Sequence, residues 1–298
     1  MTSSARVIGA EVLRQVKRIE LRTRRLVNTL FSGEYRSVFR GQGIEFAEVR
    51  DYQHGDDFRS IDWNVTARMG SPFVKTFEEE RELTLLLVVD RSGSEEFGHP
   101  CTKAEVAVEV AAVLALAAAR QNDRVGAVVF SSGIDHVVPP GKGRRHALRV
   151  IRDLLTFAPK DRGTNIRAAL AYVSRLLHHR SIVVVLSDFR AHDWEDQLRN
   201  IASRHEVVAI TIDDVRETRL PDAGWIELED AESGTKMVVD TSSRETRLAL
   251  QMAAEEARMA RMRALKQAGV DHVALRTDQP YAEPLHRAFA ERARRLRR

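Results

Sequence analysis

The apolar positions of this chain change period several times, and each change marks an element. Leu83-Thr84-Leu85-Leu86-Leu87-Val88-Val89 is almost continuously apolar, which reads as a strand buried on both faces. Runs at Val125–Phe130, Ser181–Ser187, Glu206–Ile212 and His272–Arg276 predict further strands. Between them lie helical segments: an alanine-rich one around Lys103–Arg120, then about Gly143–Phe157, Asn165–His178, Asp193–Arg204 and a long one from about Glu245 to Gln267. An arginine-rich helix follows the last strand. Ile134–Val138 pairs with Val125–Phe130 through Ser132-Gly133 as a hairpin, and Trp225–Val239, turning at Gly234, predicts a second. Strands separated by helices imply parallel crossovers with helices on both faces. The fold class is therefore α/β, with a mostly parallel sheet.

Ahead of this alternation the pattern differs. Val12, Val16, Ile19, Thr23, Leu26 and Leu30 step by four and three residues, one face of an amphipathic helix, with Arg14, Arg18, Arg22 and Arg25 on another. This helix suits docking on the protein's own core; a membrane-surface helix is the alternative. Residues 32–80 are dense in polar and aromatic side chains with little periodicity. Val74-Lys75-Thr76-Phe77 adds a strand there, and Asp56, Asp57, Arg59 and Asp62 suit an ion-paired network tying the segment to the core. The expected organisation is an N-terminal extension over residues 1–80, then an α/β domain over residues 81–298 with a β insertion near 222–241.

Composition narrows the class. A hydrophobic share of 43% and a charged share of 30% describe a soluble globular protein. The single cysteine, Cys101, excludes an internal disulfide and fits a reducing compartment. The sequence carries no apolar signal segment at its start and no run that would span a bilayer, so a cytoplasmic location is expected. The net charge of +4 conceals an asymmetry. Residues 1–40 hold nine basic against three acidic residues, and residues 281–298 six against two, leaving an acidic middle. Solvated helix faces account for the basic ends; contact with nucleic acid or anionic lipid is the competing explanation.

The candidate chemistry follows the first strand. Asp90-Arg91-Ser92-Gly93-Ser94 begins where that strand ends, the edge at which open α/β sheets bind ligands. Asp90, Ser92 and Ser94 bring one carboxylate and two hydroxyls together, a hard oxygen set suited to Mg²⁺ or Mn²⁺. Ser187-Asp188-Phe189 ends another strand, and Gly163-Thr164-Asn165 opens a helix. If the two strands are neighbours, Asp90 and Asp188 face each other and Thr164 reaches the same point. A divalent ion bound by few carboxylates keeps positive charge and open positions, so a partner's Asp or Glu can join it. Each piece also has a purely structural explanation: Asp-x-Ser-x-Ser suits a loop, Thr164 a helix N-cap, and Asp188 a turn.

The set Asp90, Ser92, Ser94, Thr164 and Asp188 resembles the metal-ion-dependent adhesion site of von Willebrand factor A domains. A wider group of segments resembles the bacterial family known as domain of unknown function fifty-eight. They are Tyr35-Arg36-Ser37, Gly43-Ile44-Glu45-Phe46, Val49-Arg50-Asp51-Tyr52, Gly55-Asp56-Asp57, Arg59-Ser60-Ile61-Asp62-Trp63, Ala67-Arg68, Val74-Lys75, Arg81-Glu82-Leu83-Thr84, Asn122-Asp123-Arg124-Val125-Gly126, Leu220-Pro221-Asp222-Ala223-Gly224 and Val239-Asp240-Thr241. The resemblance implies a von Willebrand factor A-like domain, a Mg²⁺ or Mn²⁺ cofactor on those five residues, and a non-catalytic, adaptor- or chaperone-like role beside a MoxR-type AAA+ ATPase. Glu95 departs from the pattern, since many relatives carry methionine there; as an extra carboxylate beside the rim it is expected to tune affinity for an acidic partner, while Arg91 either hydrogen-bonds that partner or faces solvent.

Other motifs point to less. His99 and Cys101 are too few for a zinc site. Gly141-Lys142-Gly143-Arg144-Arg145 lacks the spacing of a nucleotide-binding loop, so no nucleotide is expected on this chain. A metal-dependent phosphoester hydrolase is the enzymatic alternative, and it would need a general base or second metal near Asp90. A nucleic-acid or membrane-surface protein acting through the basic ends is the other.

Overall fold

A computed structural model describes residues 12, 14–23, 45–78, 83–159 and 161–296. Two compact units emerge. One contains residues 45–78; the other joins the helix at residues 14–23 to everything from Thr84 onward.

The larger unit is built on a six-stranded sheet: β3 (Thr84–Asp90), β4 (Arg124–Phe130), β5 (Ile134–Lys142), β6 (Ile182–Leu186), β7 (Glu206–Asp213) and β10 (Asp271–Arg276). The spatial order is β10-β7-β6-β3-β4-β5. All neighbours are parallel except β4 and β5, the expected hairpin. The chain leaves β3 toward β4 and later returns on the other side at β6. The β3/β6 junction is thus the topological switch point, where a crevice opens beyond the strands' carboxyl ends.

Burial follows the sequence pattern. Leu85 through Asp90 are all buried. Leu86 and Val88 join Ile166, Leu170, Val173, Phe189, Trp194 and Leu198 in the hydrophobic core on one face. Helices α5 (Ile166–Leu176) and α6 (Glu195–Ala202) cover that face. Helix α3 (Lys103–Arg120) is buried along nearly its whole length. Alanine and valine make that possible: small side chains allow close approach, and a helix apolar all round belongs inside. Helix α4 (Gly143–Thr156) packs its apolar face, Ala147, Val150, Ile151 and Leu154, inward.

Helix α1 (residues 14–23) buries Val16, Ile19 and Thr23. Arg22 reaches Glu109 of α3 at 2.7 Å, and Glu20 accepts from Arg144 of α4. The docked alternative is the one observed over these residues; Leu26 and Leu30 lie outside the described residues. Among the described residues no helix is long and apolar enough to cross a membrane.

The smaller unit pairs β1 (Glu45–Asp51) with β2 (Phe73–Glu78), antiparallel, and carries the short helix α2 (Trp63–Met69). Strand β1 escapes the sequence pattern because a register shift between Phe46 and Glu48 breaks its two-residue alternation. Asp56 takes a two-pronged ion pair from Arg50 at 2.7 and 2.8 Å. Asp57 and Asp62 act as N-caps, to a 3-10 turn and to α2. Asp56 is thus ion-paired, while Asp57 and Asp62 cap local turns.

Helix α3 begins with a capping box: Thr102 Oγ1 accepts from Glu105 N at 3.1 Å while the Glu105 carboxylate accepts from Thr102 N at 3.0 Å. Thr102→Ala is expected to cost about 1 kcal/mol, read as a lower midpoint in urea at unchanged slope. The cap also sets the direction of the next side chain, Lys103, which enters the site below.

Candidate metal centre

Strands β3 and β6 are adjacent and parallel, with Val89 opposite Leu186. Their ends therefore bring Asp90 and Asp188 together, and both are fully buried. After Asp90 the chain turns through a 3-10 segment, Gly93–Glu96, for which Ser92 is the N-cap. This turn aims the Ser92 and Ser94 hydroxyls at one another, 3.3 Å apart. It also swings Glu95 inward. Glu95 is 1% exposed, and its Oε1 accepts from the backbone N–H of Asp188 at 3.0 Å. Oxygen atoms of Asp90, Glu95 and Asp188 lie within 4.8 Å of one another.

Glu95 is therefore not at a rim. The turn buries it as a third carboxylate of the cluster. Arg91 is largely buried and pairs with Glu96 at 3.3 Å.

The hydrogen bonds are unevenly shared. Asp90 Oδ1 accepts from Ser92 N at 2.9 Å and Oδ2 from Ser187 Oγ at 2.6 Å. Asp188 Oδ1 accepts from Arg190 N at 3.1 Å, and Oδ2 from Lys103 Nζ at 2.7 Å. Lys103 Nζ, wholly buried, donates to Glu217 at 2.9 Å as well. Glu95 Oε2 is buried and accepts no hydrogen bond. Electrostatics follow. Burial, then the neighbouring Asp188 charge, pushes Asp90 up to about 7. Burial pushes Glu95 well above the carboxylate range, against the pull of Lys103. Burial raises Asp188 too, but Lys103 and Arg190 outweigh it and hold the carboxyl below its usual value. Burial alone would lower Lys103; Asp188, Glu95 and Glu217 raise it instead, so it stays charged.

Thr164 lies on the loop before α5. Its loop is joined to the Asp90 loop through Gly93 N donating to Arg162 O at 2.8 Å. Thr164 is not the helix cap: Asn165 is, accepting from Ala168 N. The Thr164 hydroxyl instead donates to Glu232 Oε1, on the tip of the β8–β9 hairpin, β8 (Trp225–Glu229) and β9 (Lys236–Asp240). The remaining scaffold comes from helix α7 (Arg244–Gln267). Its Arg261 donates to the Asp188 carbonyl at 2.7 Å and grips Asp213 with two bonds of 2.7 and 2.9 Å. Phe189 adopts φ +53°, a left-handed conformation unusual for a bulky residue. Its ring packs edge-on against Trp194, centroids 5.2 Å apart, which holds the turn beyond Asp188.

Sequence reasoning did not assign roles to Lys103, Ser187, Glu217, Glu232 or Arg261. One signal was available for Lys103: a cation in the first turn of a helix opposes the helix dipole, so such a lysine needs a dedicated anion. The others depend on contacts between distant segments: 97 residues apart for Ser187–Asp90, 114 for Glu217–Lys103, 68 for Glu232–Thr164, and 73 and 48 for Arg261 with Asp188 and Asp213.

As a donor set the cluster suits a hard divalent ion. It offers only oxygens, more carboxylates than local cations, and one buried carboxylate oxygen lacking a hydrogen bond. Such an oxygen is costly unless something cationic meets it.

Sheet order, switch-point crevice and acidic cluster define an α/β module with a candidate ligand site beyond its strand ends. The chain belongs to the family described as protein of unknown function DUF58, whose model matches residues 48–260. Uncharacterized protein Rv1480 of Mycobacterium tuberculosis is 34% identical over 285 residues, 94% of this chain and 89% of that protein. Uncharacterized protein YeaD of Bacillus subtilis is 32% identical over 109 residues, 36% of this chain and 25% of that one. Among solved structures, conserved hypothetical protein BatB from Bacteroides thetaiotaomicron aligns at 15% identity with a TM-score of 0.47, covering 71% of this chain and 99% of that one. The SpRpn10 VWA domain aligns at 9% identity and a TM-score of 0.42, over 69% and 94% of the two chains.

Proposed function

We propose that this protein is a metal-dependent protein-binding module, not an enzyme. Asp90, Ser92, Ser94, Thr164 and Asp188 would hold Mg²⁺ or Mn²⁺, with Glu95 as an added buried carboxylate. The observation that carries this reading is the cluster itself: three carboxylates within 4.8 Å, one of them with an oxygen that accepts no hydrogen bond. A bound divalent ion would supply a positive centre with open positions for a carboxylate of a protein partner. The chain's own part is positioning. Ser187 and the Ser92 amide orient Asp90, while Lys103 and Arg190 keep Asp188 ionised. The cluster is made of carboxylates and hydroxyls, the composition of a ligand cage more than of an acid–base pair. By family resemblance the partner is a MoxR-type AAA+ ATPase, with this chain as adaptor. A cytoplasmic location fits the free thiol of Cys101.

Titration with Mn²⁺, followed by calorimetry, tests the reading. Wild type is expected to bind one ion, and Asp90→Ala to lose at least tenfold in affinity. In a pull-down from native lysate, a partner should be retained by wild type with Mg²⁺ and lost with EDTA or with Asp90→Ala. Equal Mn²⁺ affinity in the two proteins would sink the assignment.

A further inference from the structure

The β8–β9 hairpin does more than decorate the fold. Its tip is self-braced: the Asp230 carboxylate accepts from Glu232 N at 3.2 Å, Ser233 N at 2.7 Å and Ser233 Oγ at 2.7 Å, and Gly234 N donates to Asp230 O at 2.8 Å. That rigid tip lies directly against the candidate metal centre. The Ala231 carbonyl comes so close to Gly93 that a Cβ there would sit 2.2 Å from its oxygen. Gly93, between the two site serines, is thus a glycine because the hairpin touches it. Arg162, in the loop carrying Thr164, faces Glu229 of the same hairpin at 3.6 Å. Glu232, half-buried, accepts the Thr164 hydroxyl hydrogen.

An in-chain carboxylate therefore rests on one of the hydroxyls expected to face the ion. We infer that Glu232 holds the place of the partner's carboxylate, so that the hairpin is an internal competitor that an acidic partner must displace. This rests on the metal-binding reading above. The chemistry is that of an intramolecular ligand: a tethered group outcompetes a free one until the incoming acid binds better, and external affinity is reduced by the fraction of molecules with the tip in place. A tip braced on its own turn can leave as a unit, since its bonds to the site are few: one hydroxyl, one distant ion pair and a packed carbonyl.

The test uses the full chain with Mn²⁺ and acetate as probes. Mn²⁺ affinity is measured first, then acetate affinity of the Mn²⁺-loaded protein from the water-proton relaxation of bound Mn²⁺. Glu232→Ala is expected to bind acetate about tenfold more tightly than wild type, corresponding to a tip seated about ten to one. Hydrogen exchange at residues 230–235 of wild type should rise on acetate addition. Mn²⁺ binding with equal or weaker acetate affinity in Glu232→Ala overturns this proposal alone. No Mn²⁺ binding by wild type overturns the metal-binding reading and this proposal together.

Discussion

Replacing Lys103 with methionine is expected to destabilise the protein by about 3–5 kcal/mol, the cost of removing one partner of a buried ion pair. For a chain of this size that is a fall of about 10 °C in melting temperature. The argument is geometric. Lys103 Nζ is wholly buried between Asp188 and Glu217, at 2.7 and 2.9 Å, and Asp188 is itself only 1% exposed. Methionine fills the space but leaves Asp188 without its nearest cation, beside Asp90 and Glu95. Thermal unfolding by circular dichroism reads the loss, and adding Asp188→Asn to the same protein is expected to restore much of it. A loss below 1 kcal/mol would mean that water, not Lys103, compensates Asp188.

Glu95→Gln should act the other way when metal is absent, stabilising the protein by about 1–3 kcal/mol. The unbonded Oε2 becomes an amide that donates toward the neighbouring carboxylates. The gain has a pH signature. Glu95 and Asp90 are both raised above their ordinary values, Asp90 to about 7. A carboxyl raised on folding contributes stability that is complete below its unfolded value and is lost as pH rises through the folded one. The unfolded values are 4.5 for Glu95 and 3.8 for Asp90. Wild type in EDTA should therefore lose ground against Glu95→Gln as pH climbs above about 4.5. Comparing the two proteins at each pH cancels buried His205 and half-buried His272, which are lowered and act in the opposite sense. Saturating Mn²⁺ should reverse the ranking, since on the proposed reading the ion would stabilise wild type by mass action. A pH-independent difference would show that Glu95 is solvated or paired in solution.

Both variants probe one trade. Ligand cages are built from groups that a folded protein would rather not bury, so they reduce stability until loaded. Here Lys103 offsets part of that cost with a permanent cation, and the rest is left at Glu95 and Asp90. On the proposed metal-binding reading, the Lys103 cation would keep the module folded until an ion arrives.

Much of this was legible in the residues alone. Continuous apolar runs dictate strands buried on both faces, and alternation with helices dictates a parallel sheet, because local period and burial are properties of the sequence. The same logic placed Asp90 and Asp188 at strand ends. Adjacency of β3 and β6, which brings the two carboxylates together, is a matter of strand order and was decided only by the tertiary structure. So was everything that crosses long stretches of chain: Lys103 reaching Asp188, Ser187 orienting Asp90, Arg261 tying the Asp188 carbonyl to Asp213, and Glu232 resting on Thr164. Glu95 shows the difference most clearly. Its position after Ser94 suggested a rim, yet a single 3-10 turn carried it inside. A one-residue rotation of backbone separates an exposed acid from a buried one, and sequence period cannot resolve that where no regular element sets the phase.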